Sequence, residues 1–147
     1  MIDAKKYLES LQASEDKVRL KIQQLQVLKD KVLCITVPVD AELVSHTKNV
    51  GTMAETIAAM IDMQKEIDIQ SCKLLEAKRE AFHLLDQIRP ESASIIINRF
   101  FVRLSIQEMS KMAYMSRRNT YRRLQEALSE FQHVLNGSGQ DSPCLTE

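Results

Sequence analysis

The sequence predicts an all-α protein, and two observations carry this prediction. The 147-residue chain has only three glycines and three prolines, too few for the many tight turns of a sandwich, a barrel or a βαβ fold. Apolar residues also recur every seven positions through two long segments, which is the spacing of helices packed along one side. We therefore expect long helices with few connections, in a chain long enough to bury a core.

The first helix is predicted over residues 2–35. A heptad seam runs along it, interrupted at Glu15 and Lys29. Its apolar members are Leu8, Leu11, Val18, Ile22, Leu25 and Val32. The residues between them are mostly Lys, Glu, Asp and Gln, which suit the solvated face of a helix.

A connector is expected at about 36–51, because Pro38 cannot continue a helix and Gly51 favours a loop. The second helix is predicted over 52–88, where Thr52 and Glu55 have the spacing of a capping box. Its apolar row repeats in sevens as Met53, Met60, Ile67, Leu74, Ala81 and Ile88. Two seams joined by a loop predict an antiparallel coiled-coil hairpin over 1–88, which serves homodimerisation or partner binding.

A second domain is predicted over 89–133. Its boundary is Arg89-Pro90, since the residue before a proline leaves the helical region. Residues 91–101 are predicted to form a short, strongly apolar helix that is buried among its neighbours. Two further helices are predicted over 106–112 and 117–132. The remaining residues, 134–147, are polar and acidic and are predicted to be a disordered tail.

The net charge of zero conceals three regions of different charge. Residues 1–88 hold 12 basic and 14 acidic side chains, a balance of −2. Residues 89–123 hold eight basic and two acidic side chains, a balance of +6, and residues 124–147 hold four acids and no Lys or Arg. Seven of the eight cations in the basic block are arginines, which suit forked hydrogen bonds to phosphate and guanine.

The stretch 105–124 carries the functional prediction. Ser105 and Glu108 have capping-box spacing, and Ser116 is a strong N-cap for the next helix. Thr120, Leu124 and Leu128 are predicted to form a buried row, and Met109, Met112 and Ala113 are expected to face inward. Two capped helices joined by a three-residue turn at 113–115 predict a helix-turn-helix.

The residue types on the outside of the second helix match double-stranded DNA. In a helix-turn-helix the start of the second helix enters the major groove, where arginine binds guanine and asparagine binds adenine. Hydroxyls and further cations suit the phosphates, which provide affinity and register. The predicted DNA-binding residues are Ser105, Ser116, Arg117, Arg118, Asn119, Tyr121, Arg122 and Arg123.

Residues 89–131 resemble the fourth region of bacterial sigma factors, the helix-turn-helix that binds promoter −35 elements. Residues 1–132 resemble the small phage-encoded late-gene regulators of the ArpU/RinA-like type. The resemblance rests on D-A-K-K-Y-L at 3–8, T-V-P-V-D at 36–40 and E-M-S-K-M-A-Y-M-S-R-R-N-T-Y-R at 108–122. It implies a phage or prophage activator of packaging, morphogenesis or lysis genes that binds promoter DNA and contacts host RNA polymerase.

One position departs from that family pattern. The turn glycine of the family is replaced here by Tyr114, and a tyrosine is disfavoured in left-handed backbone. The expectation is that the turn bends differently or that Tyr114 accepts strain.

Other classes of function find little support. No Gly-rich phosphate loop, nucleophile elbow or Cys/His dyad is present, so we expect no enzyme and no cofactor. His46, His83 and His133 lack metal-ligand spacing, and three scattered cysteines fit a reducing cytoplasm. No apolar run approaches the roughly 20 residues that span a bilayer.

Two alternatives stay open. In the first alternative, the chain is a coiled-coil adaptor whose basic helix binds an acidic protein. The second is a small terminase-like DNA-packaging subunit, although such subunits place their DNA-binding motif at the N-terminus.

Overall fold

The structure is a computed structural model that describes residues 2–36 and 46–137, with side chains over 2–33 and 53–137. Within these ranges it is all helical, as predicted, and contains no strand. The five α-helices are α1 (Ala4–Thr36), α2 (His46–Leu85), α3 (Pro90–Ile96), α4 (Ile106–Met112) and α5 (Arg117–Gly137). A π-helical segment, Ile97–Phe101, continues directly from α3.

Two predicted boundaries are wrong, and one predicted helix changes type along its length. Helix α2 begins at His46, so Thr52 and Glu55 do not mark its start; a single glycine such as Gly51 costs a helix only about 1 kcal/mol. The predicted helix 91–101 changes to π-helical geometry at Ile97. Helix α5 extends to Gly137, so residues 134–137 are helical and not part of a tail. The remainder of the predicted connector (37–45) and tail (138–147) lies outside the described residues.

The chain divides into two compact units, and the division does not fall at the domain boundary expected after residue 88. The terminal unit comprises Met1–Ala13 and Glu76–Glu147, and the middle unit comprises Ser14–Leu75. The predicted boundary was based on Pro90, which ends a helix locally. Packing depends on side chains from both ends of the chain, which a local signal does not report.

The terminal unit has one continuous apolar core. Its members come from α1, the end of α2 and the turn that follows it, α3, the π-helical segment and α5. They are Ala4, Leu8, Leu11, Ala81, Leu85, Ile88, Ile96, Phe100, Leu124, Ala127, Leu128 and Phe131. The predicted burial of the 91–101 region is confirmed at Ile96 and Phe100.

Hydrogen bonds attach the first residues of α1 to the rest of the terminal unit. The side-chain oxygen of Gln132 accepts from the backbone N–H of Ala4 at 2.6 Å. The Gln12 amide donates to the Phe100 carbonyl at 2.9 Å, and the Gln12 carbonyl accepts from Arg103 Nη2 at 3.2 Å. The bond to Ala4 satisfies one of the N–H groups that the start of α1 leaves free, and the bond to Phe100 satisfies a carbonyl of the π-helical segment.

The middle unit contains the central parts of α1 and α2. Val18 and Leu25 on α1 and Ile67 on α2 are its buried apolar residues among those described. Lys21 on α1 forms an ion pair with Glu66 on α2. No helix in the described part of the chain is both long and apolar enough to cross a membrane.

Candidate nucleic-acid interface

Both helices of the candidate site are capped as predicted. The Ser105 hydroxyl accepts from the Glu108 N–H at 3.2 Å, and the Glu108 carboxylate accepts from the Ser105 N–H at 2.8 Å. The Ser116 hydroxyl accepts from the Asn119 N–H at 3.2 Å. These bonds set where α4 and α5 begin, because they satisfy the first free N–H groups of each helix.

The connection between α4 and α5 contains a strained residue. Tyr114 has φ of 53°, which is left-handed backbone that favours glycine. Its side chain is 97% exposed, so the ring adds no packing that offsets the strain. Of the two outcomes expected for this position, the structure has the strained tyrosine.

Replacing Tyr114 with glycine is expected to stabilise the protein. Relief of the left-handed strain stabilises the folded state by about 1–2 kcal/mol. The entropic cost of the more flexible unfolded chain is smaller, about 0.4–1 kcal/mol. Calorimetry should record a rise in Tm of about 2–4 °C. Tyr121→Gly is the matched control, because this exposed tyrosine lies inside α5 and glycine there should lower stability by about 1 kcal/mol. A lower Tm for Tyr114→Gly would contradict the strain.

Helix α5 is buried on one face and basic on the other. Its buried residues are Thr120, Leu124, Ala127, Leu128 and Phe131, which confirms the predicted row. Arg118 precedes Thr120 by two residues, so the two side chains leave the helix on opposite sides, about 160° apart. Arg118 and Arg122 are about 40° apart and share the exposed face.

Three of these cations are available for a ligand. Arg117, Arg118 and Arg123 are exposed, and no hydrogen bond or ion pair within the described chain engages their side chains. Arg117 and Arg118 are the first two residues of α5, where the positive end of the helix dipole also favours an anion. The N-terminal turns of α5 therefore present unneutralised positive charge to solvent.

Asn119 and Arg122 are connected by hydrogen bonds. Arg122 Nη2 donates to Asn119 Oδ1 at 2.9 Å, and Asn119 Nδ2 donates to the Met115 sulfur at 3.7 Å. Arg122 also lies 3.9 Å from the Glu126 carboxylate. Met115 was not among the predicted site residues, since a methionine in a turn carries no sequence signal for this role. The contact orients the Asn119 amide from within the fold.

The remaining predicted site residues lie at the edges of this face. Tyr121 borders a small cavity of about 200 Å³ with Lys5, Gln12 and Arg99. The hydroxyls of Ser105 and Ser116 already accept in caps, but each retains a proton to donate. None of these residues is buried away from solvent.

Three arginines of the basic block that lie outside α5 also have structural partners. Arg89 forms an ion pair with Glu130, and this hydrogen bond raises the pKa of Arg89 and lowers the pKa of Glu130. Arg99 Nη1 donates to the Leu104 carbonyl at 3.0 Å, and Arg103 donates to Gln12. Charge along the sequence does not distinguish these cations from those available on α5.

An apolar cleft of about 500 Å³ lies beside α5. Met109, Met112, Met115 and Ile95 line it, and Arg123 borders it. The prediction that Met112 and Ala113 face inward is wrong, because Met112 is 64% exposed and Ala113 is exposed. Helix α4 ends at Met112, and its last turn borders the cleft and is not covered by another helix of the described chain. Met109 is buried, as predicted.

The described residues contain no group of three or more His, Cys, Asp or Glu side chains arranged to hold a metal ion. Comparison of the chain with protein-family models, curated proteins and solved structures finds no significant match.

Proposed function

We propose that this protein is a sequence-specific DNA-binding transcription regulator. In this proposal α4, the turn at 113–115 and α5 form a helix-turn-helix, and α5 enters the major groove. One observation carries the proposal. The first turns of α5 present Arg117, Arg118 and Arg123 without a partner among the described residues, while the opposite face of the same helix is anchored in the core.

The position of each side chain suggests a division of roles. Arg118 and Arg122 share the most exposed face and suit base edges, where a forked guanidinium binds guanine. Asn119, oriented by Met115 and Arg122, suits adenine. Arg117, Arg123, Tyr121, Ser105 and Ser116 border that face and suit phosphates, which provide affinity and register.

The cellular role follows from the resemblance to ArpU/RinA-like regulators. We propose a phage or prophage activator of late genes that acts in the cytoplasm of a bacterial host and contacts RNA polymerase at the promoter. α1 and α2 are proposed to form an antiparallel hairpin; the Lys21–Glu66 ion pair between them supports this arrangement.

The apolar cleft favours one alternative, a non-enzymatic adaptor. A partner helix with apolar and acidic residues would fit methionines that adapt in shape beside an available arginine. In that case the protein would bind its partner and select no DNA.

The test is selection of bound fragments from a random DNA library, followed by titration of binding with salt. Each phosphate contact contributes about −0.9 to the slope of log affinity against log salt. The double variant Arg117→Ala, Arg123→Ala should therefore make the slope shallower by about 1.8 per protomer, equally on selected and random DNA.

Arg89→Ala is the control. It also removes a positive charge, but the charge belongs to an arginine that is already paired with Glu130. We expect its slope to match that of the unaltered protein. Failure of the full chain to enrich any fragment at low salt would contradict DNA binding and favour the adaptor.

A further inference from the structure

The middle unit leaves many of its large apolar side chains in solvent. Three apolar residues are buried in its described part, Val18, Leu25 and Ile67. Eight large ones are exposed by 39–62%: Leu20, Ile22, Val27 and Leu33 on α1, and Ile57, Ile61, Ile69 and Leu75 on α2. Exposed apolar side chains mark an interaction site where they form a contiguous row.

Five of these exposed residues form a second stripe on their helix, away from the buried seam residues: Leu20 and Val27 on α1, and Ile57, Ile61 and Leu75 on α2. On α1, Leu20 and Val27 are seven residues apart, and each follows a buried seam residue by two, which places it about 160° from the seam. On α2, Ile57, Ile61 and Leu75 share one face, about 80–120° from the buried Ile67. One copy of the chain therefore leaves both stripes exposed.

The charges of the two helices indicate which partner covers these stripes. Residues 14–33 of α1 hold five basic and three acidic side chains, a balance of +2. Residues 53–75 of α2 hold two basic and four acidic side chains, a balance of −2. The two helices are thus complementary in sign, as the Lys21–Glu66 pair already shows within one copy.

We propose that the middle unit is a dimerisation surface for a second copy of this chain. In the dimer the α1 stripe of one copy packs on the α2 stripe of the other. A two-fold axis repeats this contact in the reciprocal sense and brings opposite charges together each time. Packing α1 on α1 and α2 on α2 would instead face like charges.

The test measures the mass of the full chain by sedimentation, without DNA, so its result is independent of the proposed DNA binding. We expect a dimer of about twice 16.8 kDa. The double variant Ile61→Glu, Leu75→Glu should sediment as a monomer with unchanged helical circular dichroism, because both side chains are exposed in one copy. Val102→Glu is the matched control, since Val102 is 57% exposed but belongs to the terminal unit, and it should remain dimeric.

Charge exchange tests which helices meet. Lys17→Glu with Lys31→Glu reverses the balance of the α1 segment to −2 and should raise the dimer Kd by about tenfold or more. Adding Asp62→Lys with Asp68→Lys reverses the α2 segment to +2 and should restore the dimer. An unaltered chain that stays monomeric at every concentration would overturn the proposal. A dimer Kd that stays the same when the charges are exchanged would also overturn it. That result would mean that α1 packs on α1 and α2 packs on α2.

Discussion

Replacing Phe131 with alanine is expected to lower the free energy of unfolding by about 3–5 kcal/mol, the cost of removing a fully buried aromatic ring. Phe131 is 0% exposed and is the largest of the fully buried side chains. Its ring centroid lies 6.0 Å from that of Tyr7, so the ring connects α5 to α1. The loss should be measured by chemical denaturation of the full chain.

Phe82→Ala provides the matched control. Phe82 is 41% exposed and contacts Phe101, with ring centroids 4.9 Å apart, so its removal should cost well under half as much. Hydrogen exchange adds a second measurement, because Phe131→Ala should also speed exchange of the α1 amides near Tyr7. Equal losses for the two variants, or unchanged exchange in α1, would contradict a core centred on Phe131.

Arg118→Ala is expected to weaken binding to the selected DNA by about 1–3 kcal/mol, the discrimination carried by one forked contact to a base. This corresponds to about a 5- to 150-fold rise in Kd. Arg118 is exposed and has no partner within the described chain, so the substitution leaves the fold unchanged. Fluorescence anisotropy on selected and random duplexes at one salt concentration measures the effect.

The comparison of the two duplexes decides the role of Arg118. A base contact predicts a large loss on selected DNA and a small loss on random DNA. Equal losses would assign Arg118 to a phosphate. Arg79→Ala, an exposed arginine on α2, serves as the control and should leave both affinities unchanged.

Local signals in the sequence predicted much of this structure. The start of α4 follows from Ser105 and Glu108, whose side chains and backbones satisfy each other. The start of α5 follows from Ser116. The buried row of α5 follows from residues spaced at three and four positions, because that spacing defines one face of a helix. These features depend on neighbours in the chain, which the sequence displays directly.

Features that depend on distant residues could not be predicted in this way. Arg89 and Arg118 are alike in the sequence, yet Glu130 pairs with one and not the other. The exposure of Met112 depends on which helices cover α4, and the terminal unit depends on contacts between the two ends of the chain. The heptad periodicity predicts that residues 1–13 belong to the hairpin. In the structure, their apolar side chains belong to the same core as the buried residues of α5.

The bond between Ala4 and Gln132 joins residues 128 positions apart, and this separation bears on how the protein is made. During synthesis, the first turns of α1 leave the ribosome long before α5, which they contact at Phe131 and Gln132, has been translated. Their apolar side chains stay exposed until residue 131 emerges. An incomplete chain with exposed apolar side chains is prone to aggregation and to chaperone binding. Completion of the terminal unit is therefore expected only near the end of translation.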